Sequence, residues 1–521
     1  MSDLLTTVRA SCREALVAVK DVSHRAPGSP TTQALLVGAL VGFLAYKATQ
    51  KRYRLPPGPF ALPLLGNVLS MAGAKEAFYV KLRRWAKEKY GPVITVYLGP
   101  VLCVFLNDTD VATEALVKKG EDFAGRPFLH SMDVFSEGSK SIVFADYSPA
   151  WKLQRKIAMQ ALRHYMSGKY LEKVVHQVMD MVCDEMAAEP GAFDPHLYNS
   201  SLMFNIIATI CFGEVKAYGD LELNGIREMF DKFNSEFGNG VFEDVFPPLR
   251  YWPTKRYTRI MGYLQGILDY LYKNIDQHRA SFSPDNIRDL TDSILLAQSE
   301  AAREESAEVM AMLTDQHVGQ TIADMFGAGV DSSRLTLDWA LLYMAGHPDI
   351  QKRAQEEIDS VTGSRMPETG DRHKLPFTQA VLFETLRLGV VLPTAVPHKT
   401  LCDTTVGGYD VPKDTMVFVN QWAILHDPKK WDQPEEFRPK RFLDDQGNLK
   451  KIDCWTPFSA GRRACLGETV AKPELLLILA CLLKRFTISL PEGAVYDPEY
   501  NVETGITIHA PKPYKVVVHK R

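Results

Sequence analysis

The sequence predicts a mainly α-helical fold with a small β portion, built as a single large domain behind an N-terminal membrane anchor. Three observations predict it. Apolar residues recur at helical spacing over 150–190, 197–213, 259–279, 316–346 and 376–389. Two adjacent β-prone runs near residue 100 read as strands. No repeat, low-complexity tract or convincing linker divides residues 60–521, although a chain of 521 residues would ordinarily hold two to four domains.

Composition narrows the class. Apolar residues make up 46% and charged residues 24%, the mix of a folded globular protein. The net charge of −3 provides no basic field for nucleic acid. Eight cysteines, at 12, 103, 183, 211, 402, 454, 465 and 481, are scattered and never form CxxC. That argues against a disulfide framework or a structural zinc site and for a reducing compartment.

In chain order, residues 1–29 form a mostly polar extension. Residues 30–46, with the apolar run Ala34 to Tyr46, are just long enough to cross a thin bilayer and read as a transmembrane anchor. A buried core helix would keep a polar face, and a signal peptide would not follow so polar an extension. Lys47, Lys51, Arg52 and Arg54 come next with no acid among them, so the positive-inside rule puts the body in the cytosol. A mitochondrial presequence is the rival, because Leu5, Val8, Cys12, Leu16 and Val19 share a helical face, but Asp3, Glu14 and Asp21 count against it. Residues 47–59 form this basic segment and a stiff hinge, Leu55-Pro56-Pro57-Gly58-Pro59. Residues 60–521 form the catalytic body.

Within the body, 91–98 and 102–105 read as strands joined by a Gly99-Pro100 turn. The segment His317 to Gly346 predicts a helix of about 45 Å, closed by Gly346-His347-Pro348. In its middle stands Gly327-Ala328-Gly329-Val330-Asp331-Ser332-Ser333. No strand precedes it and the third glycine is missing, so it is no dinucleotide loop. These residues either loosen the helical ladder and make room against that face, or simply permit close helix packing.

The stretch Phe458-Ser459-Ala460-Gly461-Arg462-Arg463-Ala464-Cys465-Leu466-Gly467-Glu468 carries the chemistry. A cysteine in a glycine-flanked loop ahead of a helix meets free N–H groups, and the helix dipole and Arg463 favour its thiolate. Such a thiolate serves as a nucleophile or a metal ligand. A nucleophile would want a base beside it, and no local Cys/His signature is present. Haem iron accepts a single cysteine, and flanking glycines let the backbone approach the flat macrocycle.

At these residues the chain resembles the cytochrome P-450 superfamily of haem-thiolate monooxygenases, over nearly all of 55–521 and with the motifs in the family's order. Trp151-Lys152-Leu153-Gln154-Arg155 is similar to WxxxR, Ala328 to Ser333 to the oxygen-activation motif, and Glu384-Thr385-Leu386-Arg387 to ExxR. Phe437-Arg438-Pro439-Lys440-Arg441-Phe442 is similar to the PERF element. The resemblance implies a cytochrome P-450 fold holding haem b (iron protoporphyrin IX), with Cys465 as the iron ligand. Arg126, Trp151, Arg155, His398 and Arg463 would hold the propionates, with Phe458 joining the cofactor set. Asp331 and Ser332 would relay protons, and Glu384, Arg387 and Arg441 would form a structural triad.

The motifs most resemble the animal microsomal group that includes steroid 17α-hydroxylase/17,20-lyase and the aryl-hydrocarbon oxidases. Asn205 matches a position that contacts the distal steroid oxygen, and Phe144, Ala328, Val391, Ala395, Val396 and Ile506 would line an apolar pocket. Three positions depart from the pattern. Ser332 replaces threonine and packs less firmly, Lys440 replaces glutamate, and Phe383 stands where the steroid enzyme has an arginine before the ExxR glutamate. The last argues against a lyase step. The implied reaction inserts oxygen from O2 into a lipophilic molecule, most simply a steroid, at the endoplasmic reticulum membrane. No dinucleotide fingerprint or flavin domain is present, so electrons would come from NADPH–cytochrome P-450 reductase, with cytochrome b5 as a further candidate donor. Oxidation of planar aromatics, reductase-independent peroxide isomerisation and a non-catalytic haem sensor are the alternatives.

Overall fold

The computed structural model describes residues 53–62, 65–71, 76–166, 170–238, 240–499 and 507–521. The predicted extension, the anchor at 30–46 and the basic residues Lys47, Lys51 and Arg52 lie outside them. Among the described residues no helix is long and apolar enough to cross a membrane. The chain separates into two compact units, Met1–Arg54 and Leu55–Arg521. The second starts at Leu55, ahead of the proline hinge. The reason is local: the Thr95 N–H donates to the Pro57 carbonyl at 2.9 Å, and a Cβ on Gly58 would lie 1.9 Å from the Thr95 carbonyl oxygen. The hinge thus lies along the first strand, where only glycine fits.

Helices of eight residues or more are α1 (Phe78–Trp85), α2 (Pro149–Met166), α3 (Tyr170–Ala188), α4 (Pro195–Phe212), α5 (Leu221–Phe237), α6 (Lys255–Ser281), α7 (Leu290–Glu304), α8 (Asp315–Gly346), α9 (Pro348–Thr362), α10 (Pro376–Leu388) and α11 (Glu468–Arg485). The predicted helical region 150–190 is two helices, α2 and α3, rather than one. Helices α1, α5, α7 and α9 were not foreseen. The strands are β1 (Val93–Leu98), β2 (Val101–Leu106), β3 (His398–Lys399), β4 (Thr404–Val406), β5 (Tyr409–Val411), β6 (Met416–Val419), β7 (Phe486–Ser489) and β8 (Val517–Lys520). The first sheet runs β1-β2-β6-β3, its β1–β2 hairpin antiparallel and its β2–β6 pair parallel with Cys103 opposite Met416.

Helix α8 is the axis of the body. Of its 32 residues 22 are buried, so it is a core helix rather than a surface helix with one apolar stripe. Phe326 packs among Phe204, Phe230 and Tyr270, and Trp339 stacks on His509 at 4.9 Å. Asp324 breaks this apolar run. It accepts from the Ser141 hydroxyl at 2.7 Å and from the Ile142 N–H at 2.6 Å, which ties the 141–146 segment to α8 one turn before Ala328. Burial pushes its carboxyl up to about 7 against these hydrogen bonds.

A second fixed point lies on α10. Glu384 and Arg387 are completely buried and pair at 2.7 Å, with Arg441 joining Glu384 at 2.9 Å. Arg387 uses all five of its donors, two on Glu384 and three on the carbonyls of Leu425, Pro434 and Glu436. The Arg438 N–H adds a further bond to Glu384 at 2.8 Å. A buried ion pair is tolerable only when satisfied this fully. It pins the 425–441 meander to α10, and Trp455 extends the anchorage by donating to the Phe383 carbonyl at 3.1 Å. Lys440, which replaces glutamate in the PERF-like element, is exposed and leaves the triad intact.

Two outcomes follow. Glu384→Gln leaves Arg387 and Arg441 without their buried counter-charge and should cost about 3–5 kcal/mol in denaturant unfolding. Asp324 has a folded pKa raised above its unfolded value, so its contribution is fully present below about pH 4 and is lost as pH rises through about 7. Thermal melts from pH 4 to 8 should show this loss in the wild type and not in Asp324→Asn.

Candidate active site

The loop ahead of α11 closes on itself through backbone bonds. The Cys465 N–H donates to the Phe458 carbonyl at 2.9 Å, and the Ala464 N–H to the Gly461 carbonyl at 3.2 Å. Gly461 takes φ +73°, and a Cβ there would lie 1.8 Å from the Leu116 carbonyl oxygen, so no other residue fits. Ser459 takes φ +62°, and its buried hydroxyl has no partner among the described residues.

Cys465 is a free thiol with an accessible side chain, yet burial pushes its pKa up. Exposed yet closely surrounded by protein, it lies in a recess rather than on open surface. The Gly467 and Glu468 N–H groups and the charge of Arg155 oppose the rise. The expected thiolate stabilisation by Arg463 is therefore not what the structure shows, because that guanidinium points elsewhere. It donates to the carbonyls of Ala124 at 2.8 Å, Ile142 at 3.2 Å and Ala145 at 2.7 Å. A bound cation at sulfur is what would displace the proton.

Around this recess three guanidinium groups gather. Arg126 donates to Val143 at 2.8 Å, Val396 at 3.2 Å and Pro397 at 2.8 Å, all carbonyls. Arg155 donates to the Ala464 carbonyl at 2.6 Å, and Arg463 lies 4.0 Å from the Trp151 ring centre. Burial first, then Arg463 and Arg155, depress Arg126 well below its usual range, and burial draws Arg463 down to about 10. His398 adds a fourth nitrogen base, its Nδ1 2.9 Å from the Phe123 carbonyl; burial and Arg126 hold its pKa at about 3, so it is neutral. The carboxylate nearest this group, Asp146, is already engaged by Lys399 at 2.6 Å. Arginine does not shed its proton in proteins. Such a cluster is stable only beside an anion.

This donor set fits haem b. Two propionates would meet Arg126, Arg155, Arg463 and His398, and the iron would meet the Cys465 sulfur. Trp151, expected at a propionate, instead donates its indole N–H to the Ile142 carbonyl at 2.8 Å. The Arg463 guanidinium lies over its ring at 4.0 Å. Phe458 is half-buried in the same loop and contributes its carbonyl to the Cys465 turn.

The distal residues come from α8. Ala328 is exposed midway along this mostly buried helix. The Ser332 hydroxyl donates back to the Ala328 carbonyl at 2.7 Å. Asp331 does not meet Ser332: Arg334 holds its carboxylate at 3.3 Å and Asn234 donates to its other oxygen. Burial raises its pKa, with Arg334 and Asn234 opposing. Helix α4 runs against this region closely enough that a Cβ on Gly329 would lie 3.1 Å from Ile207.

Arg126 also gathers the expected substrate residues, since it binds carbonyls on both the Phe144 segment and the 395–397 segment. Phe144 is half-buried edge-on to Phe135 at 5.7 Å. Ala395 takes φ +51°, and the Val391 carbonyl accepts from the His509 N–H at 3.1 Å. Asn205 is not among this group. Its amide is committed to Lys216, donating to that carbonyl at 2.6 Å and accepting from that N–H at 3.0 Å. Ile506 lies outside the described residues. Two features escaped the sequence reading. Asp324 had a signal, an acid inside the apolar run Ile322-Ala323-Asp324-Met325-Phe326. The Arg334–Asp338–His196 cluster had none, because its parts are up to 142 residues apart.

A cytochrome P450 family model matches residues 56–518. Steroid 17-alpha-hydroxylase/17,20 lyase of Gallus gallus is 37% identical over 438 residues, 83% of this chain and 86% of that protein. Cytochrome P450 1A1 of Mesocricetus auratus is 34% identical over 482 residues, 89% and 91% of the two chains. A solved structure titled "Zebra fish cytochrome P450 another structure with Progesterone" superposes with a TM-score of 0.77 at 33% identity, covering 86% of this chain and all of that one. A thiol loop and a cation cluster that call for haem are thus carried on a chain alike over most of its length in sequence and in backbone, and the chain belongs to the cytochrome P450 family of haem-dependent monooxygenases.

Proposed function

We propose that the chain hydroxylates a steroid or a similarly flat lipophile in the manner of a 17α-hydroxylase, at the endoplasmic reticulum membrane. Electrons would come from NADPH–cytochrome P-450 reductase, with cytochrome b5 as a second donor. The observation that carries this reading is the likeness to the progesterone-titled structure, which this chain matches over the whole of that structure's length.

Haem with a thiolate ligand supplies dioxygen binding and activation. The chain's own residues do the rest. Arg126, Arg155, Arg463 and His398 hold the propionates. Phe144, Ala328, Val391, Ala395 and Val396 offer apolar contact that orients a flat substrate and excludes water. Ser332 Oγ carries a proton beside the Ala328 carbonyl, and Asp331 resupplies it once its carboxylate leaves Arg334. Phe383 supports hydroxylation without carbon–carbon cleavage. Its ring packs on Trp455 at 4.5 Å and offers no cation.

A second reading, oxidation of planar aromatic hydrocarbons, is favoured by one observation. Asn205 is spent on the Lys216 backbone rather than free to meet a steroid oxygen. Titrating the purified holoenzyme with progesterone and with planar aromatics, read by the haem spin-state shift, decides between them. Steroid binding with a 17-hydroxylated product supports the first reading; a response to aromatics alone overturns it. Asp331→Asn should lower turnover with reductase and NADPH by about 10²-fold while leaving the reduced carbon monoxide spectrum unchanged.

A further inference from the structure

Helix α8 carries Asp331, Arg334 and Asp338 on one face, at spacings of three and four residues. Arg334 joins the two acids, with Nη2 3.3 Å from Asp331 and Nη1 3.4 Å from Asp338. Opposite them, on α4, His196 places Nδ1 2.9 Å from Arg334 Nη1 and 3.1 Å from Asp338 Oδ2. Asn199 of α4 donates to the other Asp338 oxygen at 2.8 Å. From α5, Asp231 faces the group electrostatically and Asn234 bonds Asp331. The Tyr514 hydroxyl donates to the Asp338 backbone carbonyl, and Asp194 caps the His196 N–H at 2.9 Å.

One nitrogen cannot serve both neighbours of His196 at once. An unprotonated Nδ1 accepts from Arg334. A protonated Nδ1 donates to Asp338 and repels Arg334. The side chain is 38% exposed while Arg334 and Asp338 are almost fully buried, so His196 is the member of the chain of contacts that exchanges protons with solvent. Arg334 Nε is also buried without a partner among the described residues, so this guanidinium is under-satisfied and responsive to a change at Nη1.

We infer that His196 is a positioning residue for Asp331, setting through Arg334 how firmly the Asp331 carboxylate is held away from Ser332. With His196 neutral, Arg334 shares its donors among three acceptors and Asp331 is released readily. With His196 charged, Asp338 turns to the imidazolium and Arg334 tightens on Asp331. The inference rests on the relay role proposed above for Asp331. Burial lowers the His196 pKa, but the hydrogen bond to Asp338 and the nearby acids outweigh it and Arg334, so the imidazole is held above its ordinary value.

Linkage makes this reciprocal, and that provides a test independent of turnover. The histidines of the full-length holoenzyme are labelled with 13C and titrated by NMR in the reduced, carbon monoxide-bound, diamagnetic state, with His196→Asn identifying the resonance. Asp331→Asn should move the His196 titration by about half a pH unit or more, as groups sharing one network do. An unmoved titration overturns the inference, whatever Asp331→Asn does to turnover. Asp338→Asn, which removes the direct partner, should lower the His196 pKa; an unchanged value would also overturn it. In the working enzyme, product formed per NADPH consumed should rise through the His196 titration in the wild type and be flat over that range in His196→Asn. The same rise in the variant would contradict the inference. If instead His196 and Asp331 are linked by NMR but Asp331→Asn retains full turnover, the relay role fails and the linkage stands.

Discussion

Positive charge held out of water with too few carboxylates to balance it is the constraint on which this structure depends. Arg126, Arg155 and Arg463 converge with neutral His398, while the nearby Asp146 is spent on Lys399. Backbone carbonyls hold the three guanidiniums in place, from Ala124 and Ile142–Ala145 on one side, Val396–Pro397 on another and Ala464 at the cysteine loop. Carbonyl dipoles orient a cation but cannot neutralise it, and the remaining cost makes a dianionic partner part of the fold. Haem propionates would meet that need, with Cys465 as the residue that would hold the iron.

The scaffold supports this arrangement from two directions. The Glu384–Arg387–Arg441 group fixes the long meander, and through Trp455 the approach to Cys465. Asp324 does corresponding work elsewhere, tying the 141–146 segment, and with it three of the seven arginine-binding carbonyls, to α8. Helix α8 therefore serves both: Asp324 fixes the segment that carries part of the cation cluster, and the Ala328–Asp331 turn carries residues proposed for the substrate side. Small displacements of one are bound to be felt by the other, since both belong to one rigid helix packed along most of its length.

Much of this was legible in the sequence, for local reasons. Cys465 and its glycines, ExxR, WxxxR and the α8 motif are short-range patterns whose chemistry follows from spacing, and their order along the chain identified the family. Helices with strong periodicity, such as α6 and α8, were placed to within a few residues. Helices α1, α5, α7 and α9 escaped because none stood out by length or motif. What the residues bond to was less legible. Arg463 was expected at the thiolate and instead binds three carbonyls, and Trp151 was expected at a propionate and instead binds Ile142. Asn205 was expected to face substrate and instead braces Lys216. In each case a backbone group distant in sequence competes for the side chain, and no local pattern reports it. The ties through Asp324 and His196 are of the same kind, made between elements more than 130 residues apart.

The central claim is that Cys465 is the sole protein ligand of a haem whose propionates satisfy the arginine cluster. The most direct measurement is the carbon monoxide difference spectrum of the reduced holoenzyme, compared with that of Cys465→Ala. The account predicts a thiolate-type band in the wild type and its complete loss in the variant. A variant that kept the thiolate-type band, or a wild type that never showed one, would contradict it.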